Sequence, residues 1–257
     1  MVSDVKGVEM ISVFDLLDNY KKGRLYHIFG SAKVGKTHLA VYHHIIRRMI
    51  DENVDESKID RVRNFVVCCD GGFSEDRLLD LAEKYQLKPS LVKQSLVVFY
   101  PQEFREAIAK VMEDIPSIKA NRSLEVLTIS VDGLLWLYRE QWRDVDRKQI
   151  LEVARRLRPL LTSAFSKLSR LSVGWDCSAT ITDIRKSVPD FIQKEKEVHP
   201  FYGGEDLVAI AWSTIELKKI SDQGEYVAKI YSSRSKPRGI AARYLITEKG
   251  IETPTTS

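Results

Sequence analysis

Cysteine is scarce in this chain, and long hydrophobic runs are absent. Three cysteines, two of them the adjacent Cys68 and Cys69, cannot form a disulfide framework or a zinc site with the usual ligand spacing. No apolar stretch approaches the roughly 20 residues that a membrane-spanning helix needs, and residues 1–6 lack the apolar core of a signal peptide. These absences predict a reduced, cytoplasmic protein with no membrane partner.

Neither sign of charge dominates the composition. The formal net charge is +4, which by itself does not identify a nucleic-acid-binding protein. Hydrophobic residues make up 44% of the 257 residues, which is typical of an ordinary globular protein and excludes a disordered or fibrous one. A chain of this length suits one large domain.

Short apolar runs alternate with helical patterns through the first two thirds of the chain. The predicted strands are Leu25–Phe29, Asn64–Cys69, Leu96–Tyr100, Leu124–Val131 and Ser178–Ile184. The predicted helices between them are His38–Met49, Glu75–Gln86, Glu103–Met112 and Arg147–Leu171. This alternation predicts βαβ units, and therefore a parallel sheet with helices on both faces.

The alternation of predicted strands and helices ends before the C-terminal part of the chain. Residues 185–204 show no clear period and predict a long loop. Leu207–Leu217, Glu225–Ser232 and Ile240–Thr247 are predicted strands with short connections, which favours antiparallel pairing. We expect a single domain with a short N-terminal segment (1–23), a core (24–252) and a tail (253–257).

One motif carries recognisable chemistry. The run Gly30-Ser31-Ala32-Lys33-Val34-Gly35-Lys36-Thr37 fits G-x-x-x-x-G-K-[ST], and it lies between a predicted strand and a predicted helix. Such a loop cradles phosphates with its backbone N–H groups, its lysine reaches the terminal phosphates, and its hydroxyl binds Mg²⁺. We therefore predict ATP and Mg²⁺ as cofactors, with the eight loop residues and the following His38 as nucleotide contacts.

Two acidic residues could complete this site. Asp132 ends an apolar strand, as the Mg²⁺-binding carboxylate of a Walker B motif does. Asp70 ends another predicted strand, so both carboxylates are expected at the carboxyl edge of the sheet, where ligands bind. Asp70 could equally be the first residue of a turn with Gly71 and Gly72.

Four stretches in order give the chain a resemblance to a known family. They are Arg24–Thr37, Asp70–Leu78, Ser130–Gly133 and Arg243–Ile251. Together they resemble the RecA superfamily, most closely the archaeal RadA recombinases and their short paralogues of the RadB and RadC type. The resemblance runs from Val13 to Glu252. It implies an α/β P-loop NTPase with a RecA-like core: a mostly parallel central sheet, helices on both faces and antiparallel C-terminal strands.

The resemblance also implies roles for individual residues. Asp70 matches the acid that activates water, normally a glutamate, and its shorter side chain implies slow hydrolysis. Arg77 matches an arginine that lies over the adenine, although it could be a surface arginine of the helix. Ile184 stands where the family has a glutamine that senses the γ-phosphate, and isoleucine cannot form that hydrogen bond.

Further roles concern DNA and a neighbouring subunit. The first DNA-binding loop of the family would lie near residues 141–148. The second would be Arg185–Gly204, with four basic residues as DNA contacts: Arg185, Lys186, Lys194 and Lys196. In similar ATPases a basic hairpin reaches the γ-phosphate held by the neighbouring subunit, and here it would carry Arg234, Lys236 and Arg238. A solvated basic turn is the alternative.

The chain has fewer than thirty residues before the P-loop, whereas RadA recombinases carry an N-terminal helical domain there. We therefore expect an accessory, core-only paralogue that binds ATP, hydrolyses it weakly and binds single-stranded DNA in recombination and repair. A RadA-type recombinase is a possible partner, and an oligomer is possible. The alternatives are a KaiC-like regulatory ATPase that binds proteins and not DNA, and a disfavoured small-metabolite kinase.

Overall fold

The computed structural model describes residues 11–121, 123–141, 143, 145–184, 204–221 and 224–254. Strands within these residues form one sheet. They are β1 (Arg24–Gly30), β2 (Val62–Cys68), β3 (Leu96–Phe99), β4 (Glu125–Asp132), β5 (Ser178–Ile184), β6 (Ser213–Lys219), β7 (Glu225–Ser233), β8 (Ala241–Thr247) and β9 (Gly250–Glu252). The order across the sheet is β3-β2-β4-β5-β1-β6-β7-β8-β9.

The sheet is parallel from β3 to β6 and antiparallel from β6 to β9. This arrangement confirms the predicted mostly parallel sheet with antiparallel C-terminal strands. Parallel strands need crossover connections, and helices supply them. The fold is therefore α/β, as the alternation of patterns indicated.

Helices lie on both faces of the sheet. They are α1 (Val13–Leu16), α2 (His44–Asp51), α3 (Glu75–Lys84), α4 (Pro89–Ser95), α5 (Phe104–Ala109), α6 (Ile115–Ala120), α7 (Leu134–Glu140), α8 (Arg147–Gly174) and α9 (Gly204–Ile210). Alternate side chains of β2 enter two separate hydrophobic cores: Val66 packs with α2 and α3, whereas Phe65 and Val67 pack with α5, α7 and α8. Among the described residues, no helix combines the length and apolar character needed to cross a membrane.

The segment predicted as one strand over Leu207–Leu217 is wrong in its first half. Helix α9 occupies Gly204–Ile210, and β6 begins only at Ser213. Asp206 in the first turn of α9 accepts hydrogen bonds from Arg158 Nε at 2.9 Å and Thr162 Oγ1 at 3.0 Å, both on α8. This tertiary contact fixes the helix against α8. An acidic first turn is a helix-start signal that the apolar run concealed.

A left-handed turn precedes β1. Asp18, Asn19 and Tyr20 have φ values of 47°, 51° and 55°, a region that residues other than glycine, Asn and Asp rarely enter. Asp18 accepts hydrogen bonds from Arg24 Nη1 at 2.9 Å and Trp212 Nε1 at 2.9 Å. These contacts hold the segment before β1 against the sheet, with Tyr20 fully buried.

Candidate nucleotide site

The carboxyl ends of four parallel strands meet at one edge of the sheet. The strand register pairs Phe29 of β1 with Asp183 of β5, and Cys68 of β2 with Asp132 of β4. The loop after β1, the acid after β2 and the acids ending β4 and β5 therefore converge, as Asp70 and Asp132 were expected to do. The P-loop, Asp70 and Asp183 line a cavity of about 620 Å³, and Asp132 is joined to it through Thr37.

The backbone of the P-loop depends on two glycines. A Cβ atom on Gly30 would lie 2.5 Å from the Leu217 carbonyl oxygen of β6, so the loop can leave β1 only with glycine there. Gly35 has a φ of +86°, and its Cβ position lies 3.0 Å from Ile246. The loop then enters the helix from His38 to Asp51, here called the P-loop helix, whose N-terminus favours phosphate.

Lys36 is a partly buried cation among carboxylates. Its Nζ donates hydrogen bonds to the Gly30 carbonyl at 3.1 Å and the Ser31 carbonyl at 2.6 Å. Burial lowers the pKa of Lys36, and Asp132, Asp70 and Asp183 act against that effect. The ammonium group is therefore held at the mouth of the loop, where the terminal phosphates of a nucleotide would lie.

Thr37 and Asp132 are in direct contact. Thr37 Oγ1 donates to Asp132 Oδ2 at 2.7 Å, and Thr182 Oγ1 donates to Asp132 Oδ1 at 2.5 Å. No cluster of three or more His, Cys, Asp or Glu side chains suited to a metal occurs in the described part of the chain. A hydroxyl beside one carboxylate fits Mg²⁺, which commonly takes one or two protein ligands and completes its shell with phosphates and water.

Asp132 is buried, and burial destabilises its ionised form. Burial raises the pKa of Asp132, and the neighbouring Asp70 carboxylate raises it further. The hydrogen bonds from Thr182 and Thr37 and the charge of Lys36 lower it only in part. A carboxylate in this position is stabilised by a bound cation, which is what a Mg²⁺ site requires.

Asp132→Asn is expected to raise the melting temperature measured without nucleotide or Mg²⁺. The folded state holds the Asp132 proton more tightly than the unfolded state, because the folded pKa is raised above 3.8. Stability is therefore lost as the pH rises from the unfolded pKa through the folded one, and the gain from asparagine should grow with pH. Thermal melts of both proteins over a pH series measure this gain. A variant that melts at or below the wild-type temperature at neutral pH would contradict the expected charge penalty.

Asp70 lies at the same cavity and also caps a turn. Its Oδ1 accepts a hydrogen bond from the Gly72 backbone N–H at 2.9 Å. Gly133, which follows Asp132, packs so closely that a Cβ atom there would lie 2.8 Å from Asp70 Cγ. The turn interpretation and the catalytic interpretation of Asp70 are therefore compatible, because Oδ2 is not used by that turn hydrogen bond.

The P-loop helix is anchored to β4 and β5 by buried polar contacts. The Ala40 carbonyl accepts hydrogen bonds from Ser130 Oγ at 2.9 Å and Thr180 Oγ1 at 2.5 Å. His44 bridges the same strands, with Ser130 Oγ at 3.0 Å and Ser178 Oγ at 2.6 Å. Side-chain donors inserted into a helix ladder distort it, and residues His38–His43 form a π-helical turn. The strands that carry Asp132 and Asp183 thus position the P-loop helix.

Arg77 of α3 and His38 of the P-loop helix line the side of the cavity that faces α3. Arg77 Nη2 donates to the Thr247 carbonyl at 2.9 Å, which joins α3 to the turn between β8 and β9. Burial lowers the pKa of His38 to about 4, and the charge of Arg77 contributes. His38 is therefore neutral at physiological pH. A planar guanidinium on this side is suited to stacking on a base, the role that the resemblance gives Arg77.

The basic hairpin makes contacts within the chain. Arg234 Nη2 donates to the Ala209 carbonyl at 2.7 Å, Lys236 forms an ion pair with Asp18, and the Arg238 guanidinium lies 5.0 Å from the centre of the Tyr231 ring. None of these three cations lines the cavity of its own chain. The predicted DNA-binding residues Arg185, Lys186, Lys194 and Lys196 lie outside the described residues.

Sequence reasoning missed several residues around the cavity. Thr182 contacts Asp132, and Trp136 and Arg139 of α7 line the cavity beyond Gly133. Helix α7 follows the Walker B strand directly, and its seven residues are too few for a clear periodic signal. The spacing of Trp136 and Arg139, three residues apart on one helix face, was the available hint.

Comparison with known proteins agrees with this geometry. The family model described as Rad51 matches residues 14–254. Three curated relatives are each named DNA repair and recombination protein RadB. The protein of Methanocaldococcus jannaschii is 24% identical over 92% of this chain and 96% of its own length. Those of Methanococcoides burtonii and Thermococcus kodakarensis are 27% and 25% identical, over 90% and 91% of both chains.

Proposed function

The chain belongs to the Rad51 family, and from that premise we propose that it binds Mg²⁺-ATP, hydrolyses it slowly and binds single-stranded DNA in recombination and repair. The observation that carries the nucleotide part is the convergence of Lys36, Thr37 and Asp70 on one cavity, with the buried Asp132 bonded to Thr37. The DNA part rests on the relatives, whose names place them in DNA repair and recombination.

Each residue has a distinct role in the proposed hydrolysis. Lys36 stabilises negative charge on the terminal phosphates, and Thr37 with Asp132 holds the Mg²⁺ that bridges them. Asp70 orients or deprotonates the attacking water through its carboxylate. The reaction is slow in this proposal because the Asp70 side chain is short and one of its oxygens is already bonded to the Gly72 N–H.

The basic hairpin supports a second, intermolecular part of the proposal. In an oligomer, Arg234, Lys236 and Arg238 would approach the nucleotide of a neighbouring subunit. Lys236 would reach that nucleotide only if its ion pair with Asp18 opened. If the ion pair stays closed, it supports the hairpin, and Arg234 and Arg238 make the approach. A RadA-type recombinase is the proposed protein partner, because a paralogue with the same core fold can present a compatible surface.

Single-stranded DNA binding tests the proposal against the alternative, a regulatory ATPase that binds proteins only. Replacing Arg185, Lys186, Lys194 and Lys196 together with alanine is expected to weaken DNA binding and flatten its salt dependence. Each lost phosphate contact lowers the slope of log K against log salt by about 0.7. Fluorescence anisotropy across a salt series measures both quantities.

The matched control also removes four positive charges, but from exposed positions in turns and in or next to α4: Lys58, Lys88, Lys93 and Lys249 are replaced together with alanine. This control is expected to change affinity much less than the loop variant. Equal effects of the two variants would show that net charge, and not the loop, governs binding. No binding of DNA to the wild-type protein even at low salt would favour the regulatory ATPase.

A further inference from the structure

Arg139 lies where two cavities meet. It lines the nucleotide cavity together with Trp136, Thr182 and Ile184. It also lines a second cavity of about 500 Å³, whose other lining residues are Trp136, Glu140 and Arg143. Arg139 belongs to α7, which starts two residues after Asp132. Gly133, Trp136 and Arg139 line the nucleotide cavity together with the end of β5, and this part of the cavity is here called the Walker B end.

The Walker B end is rich in negative charge. Asp70, Asp132 and Asp183 all act on the pKa of Lys36, which is the P-loop cation among them. Arg77 belongs to α3 instead, where it bonds to the Thr247 carbonyl. The γ-phosphate of ATP adds further negative charge near Asp70, because Asp70 must reach the water that attacks it. A second cation at this end would offset that charge.

The side chain of the residue that ends β5 is apolar. Ile184 pairs with Gly30 in the strand register and lines the cavity, but its side chain has no hydrogen-bond donor. Arg139 lines the same end and carries five N–H donors in a planar fork that matches phosphate oxygens. Arg139 therefore offers this part of the cavity a donor that the Ile184 side chain lacks.

Arg139 is only weakly held by its present partner. Its Nη2 lies 3.4 Å from Glu140 Oε1, and Glu140 also pairs with Arg143 at 3.2 Å. The Arg139 side chain is 38% exposed, and ion pairs in such settings contribute little stability. Turning the guanidinium toward the nucleotide therefore costs little.

We propose that Arg139 binds the γ-phosphate and makes the site distinguish ATP from ADP. The proposal rests on the proposed nucleotide-binding function and adds a specificity residue to it. ADP lacks the phosphate that Arg139 reaches, so only ATP gains this contact. Because Arg139 also lines the second cavity, ATP binding would withdraw one positive charge from that surface.

Dissociation constants for ADP and for a non-hydrolysable ATP analogue test the proposal, in wild type, Arg139→Ala, Arg139→Lys and Arg143→Ala. Arg139→Ala is expected to raise the dissociation constant of the ATP analogue roughly tenfold or more and to leave that of ADP unchanged. Arg139→Lys keeps the charge without the planar fork, so its affinity for the analogue should lie between those of the wild type and Arg139→Ala. Arg143→Ala is the matched control, because Arg143 lines only the second cavity.

Three results would overturn the proposal. Arg139→Ala could leave binding of the analogue unaffected, could weaken binding of ADP and of the analogue equally, or could change both affinities as Arg143→Ala does. In each case the wild-type protein still binds nucleotide. If the wild-type protein binds neither nucleotide, the proposed function itself fails, which is a distinguishable result.

Discussion

Lys36→Ala is expected to abolish measurable ATP turnover. The Lys36 ammonium is held by the Gly30 and Ser31 carbonyls beside three carboxylates. In the proposed hydrolysis this is where charge would develop on the transferred phosphate. Removing one preorganised charge-stabilising donor costs about 100-fold or more in rate. Because the wild-type reaction is expected to be slow, a loss of that size takes turnover below detection. Phosphate release from purified protein measures it.

A lysine outside the site provides the control. Lys88 is exposed and pairs with Glu56, so Lys88→Ala removes the same charge and should leave turnover unchanged. Lys36→Ala also removes two hydrogen bonds to the loop, and a thermal melt of the variant shows whether the fold is retained. Undiminished ATPase activity in a folded Lys36→Ala protein would refute the P-loop assignment.

Asp70→Asn is expected to lower the hydrolysis rate about 100-fold or more while leaving ATP affinity nearly unchanged. Asparagine retains an Oδ1 that can accept the hydrogen bond from the Gly72 N–H, so the turn is preserved and only the charge and basicity are lost. A base acts on water in the transition state and not on the bound ground state. Single-turnover hydrolysis and equilibrium nucleotide binding separate the two effects.

Asp70→Glu provides the complementary test. The extra methylene would carry the carboxylate further from the turn and toward the cavity, so we expect faster hydrolysis than in the wild-type protein. If Asp70→Asn hydrolyses ATP at the wild-type rate, Asp70 serves only the turn. If Asp70→Glu is slower than wild type, the close packing of Gly133 against Asp70 has excluded the longer side chain.

The strands and the position of the nucleotide site could be predicted because their signals are local. Strand β4 carries Val126, Leu127, Ile129 and Val131 and ends in Asp132, and the P-loop follows a short, largely apolar strand. In a parallel sheet the carboxyl ends of such strands must share an edge, so Asp70 and Asp132 could be placed near the loop without coordinates. Spacing and periodicity were sufficient for these elements.

Other features depend on contacts between distant parts of the chain. The π-helical turn coincides with the hydroxyls of Ser130 and Thr180 meeting the Ala40 carbonyl, 90 and 140 residues away in sequence. Helix α9 is fixed by Asp206 against α8, and its apolar residues are indistinguishable from those of a strand. Arg139 has no motif, and only the meeting of two cavities identifies it.

The most direct test of the central claim, that Thr37 and Asp132 hold the Mg²⁺ of a bound ATP, is the affinity of a fluorescent ATP analogue with and without Mg²⁺. Wild type and Asp132→Asn are compared under the same conditions. We expect Mg²⁺ to tighten binding of the analogue to the wild-type protein by roughly tenfold or more and to have little effect on the variant. No binding to the wild-type protein, or the same Mg²⁺ effect in both proteins, would contradict the central claim.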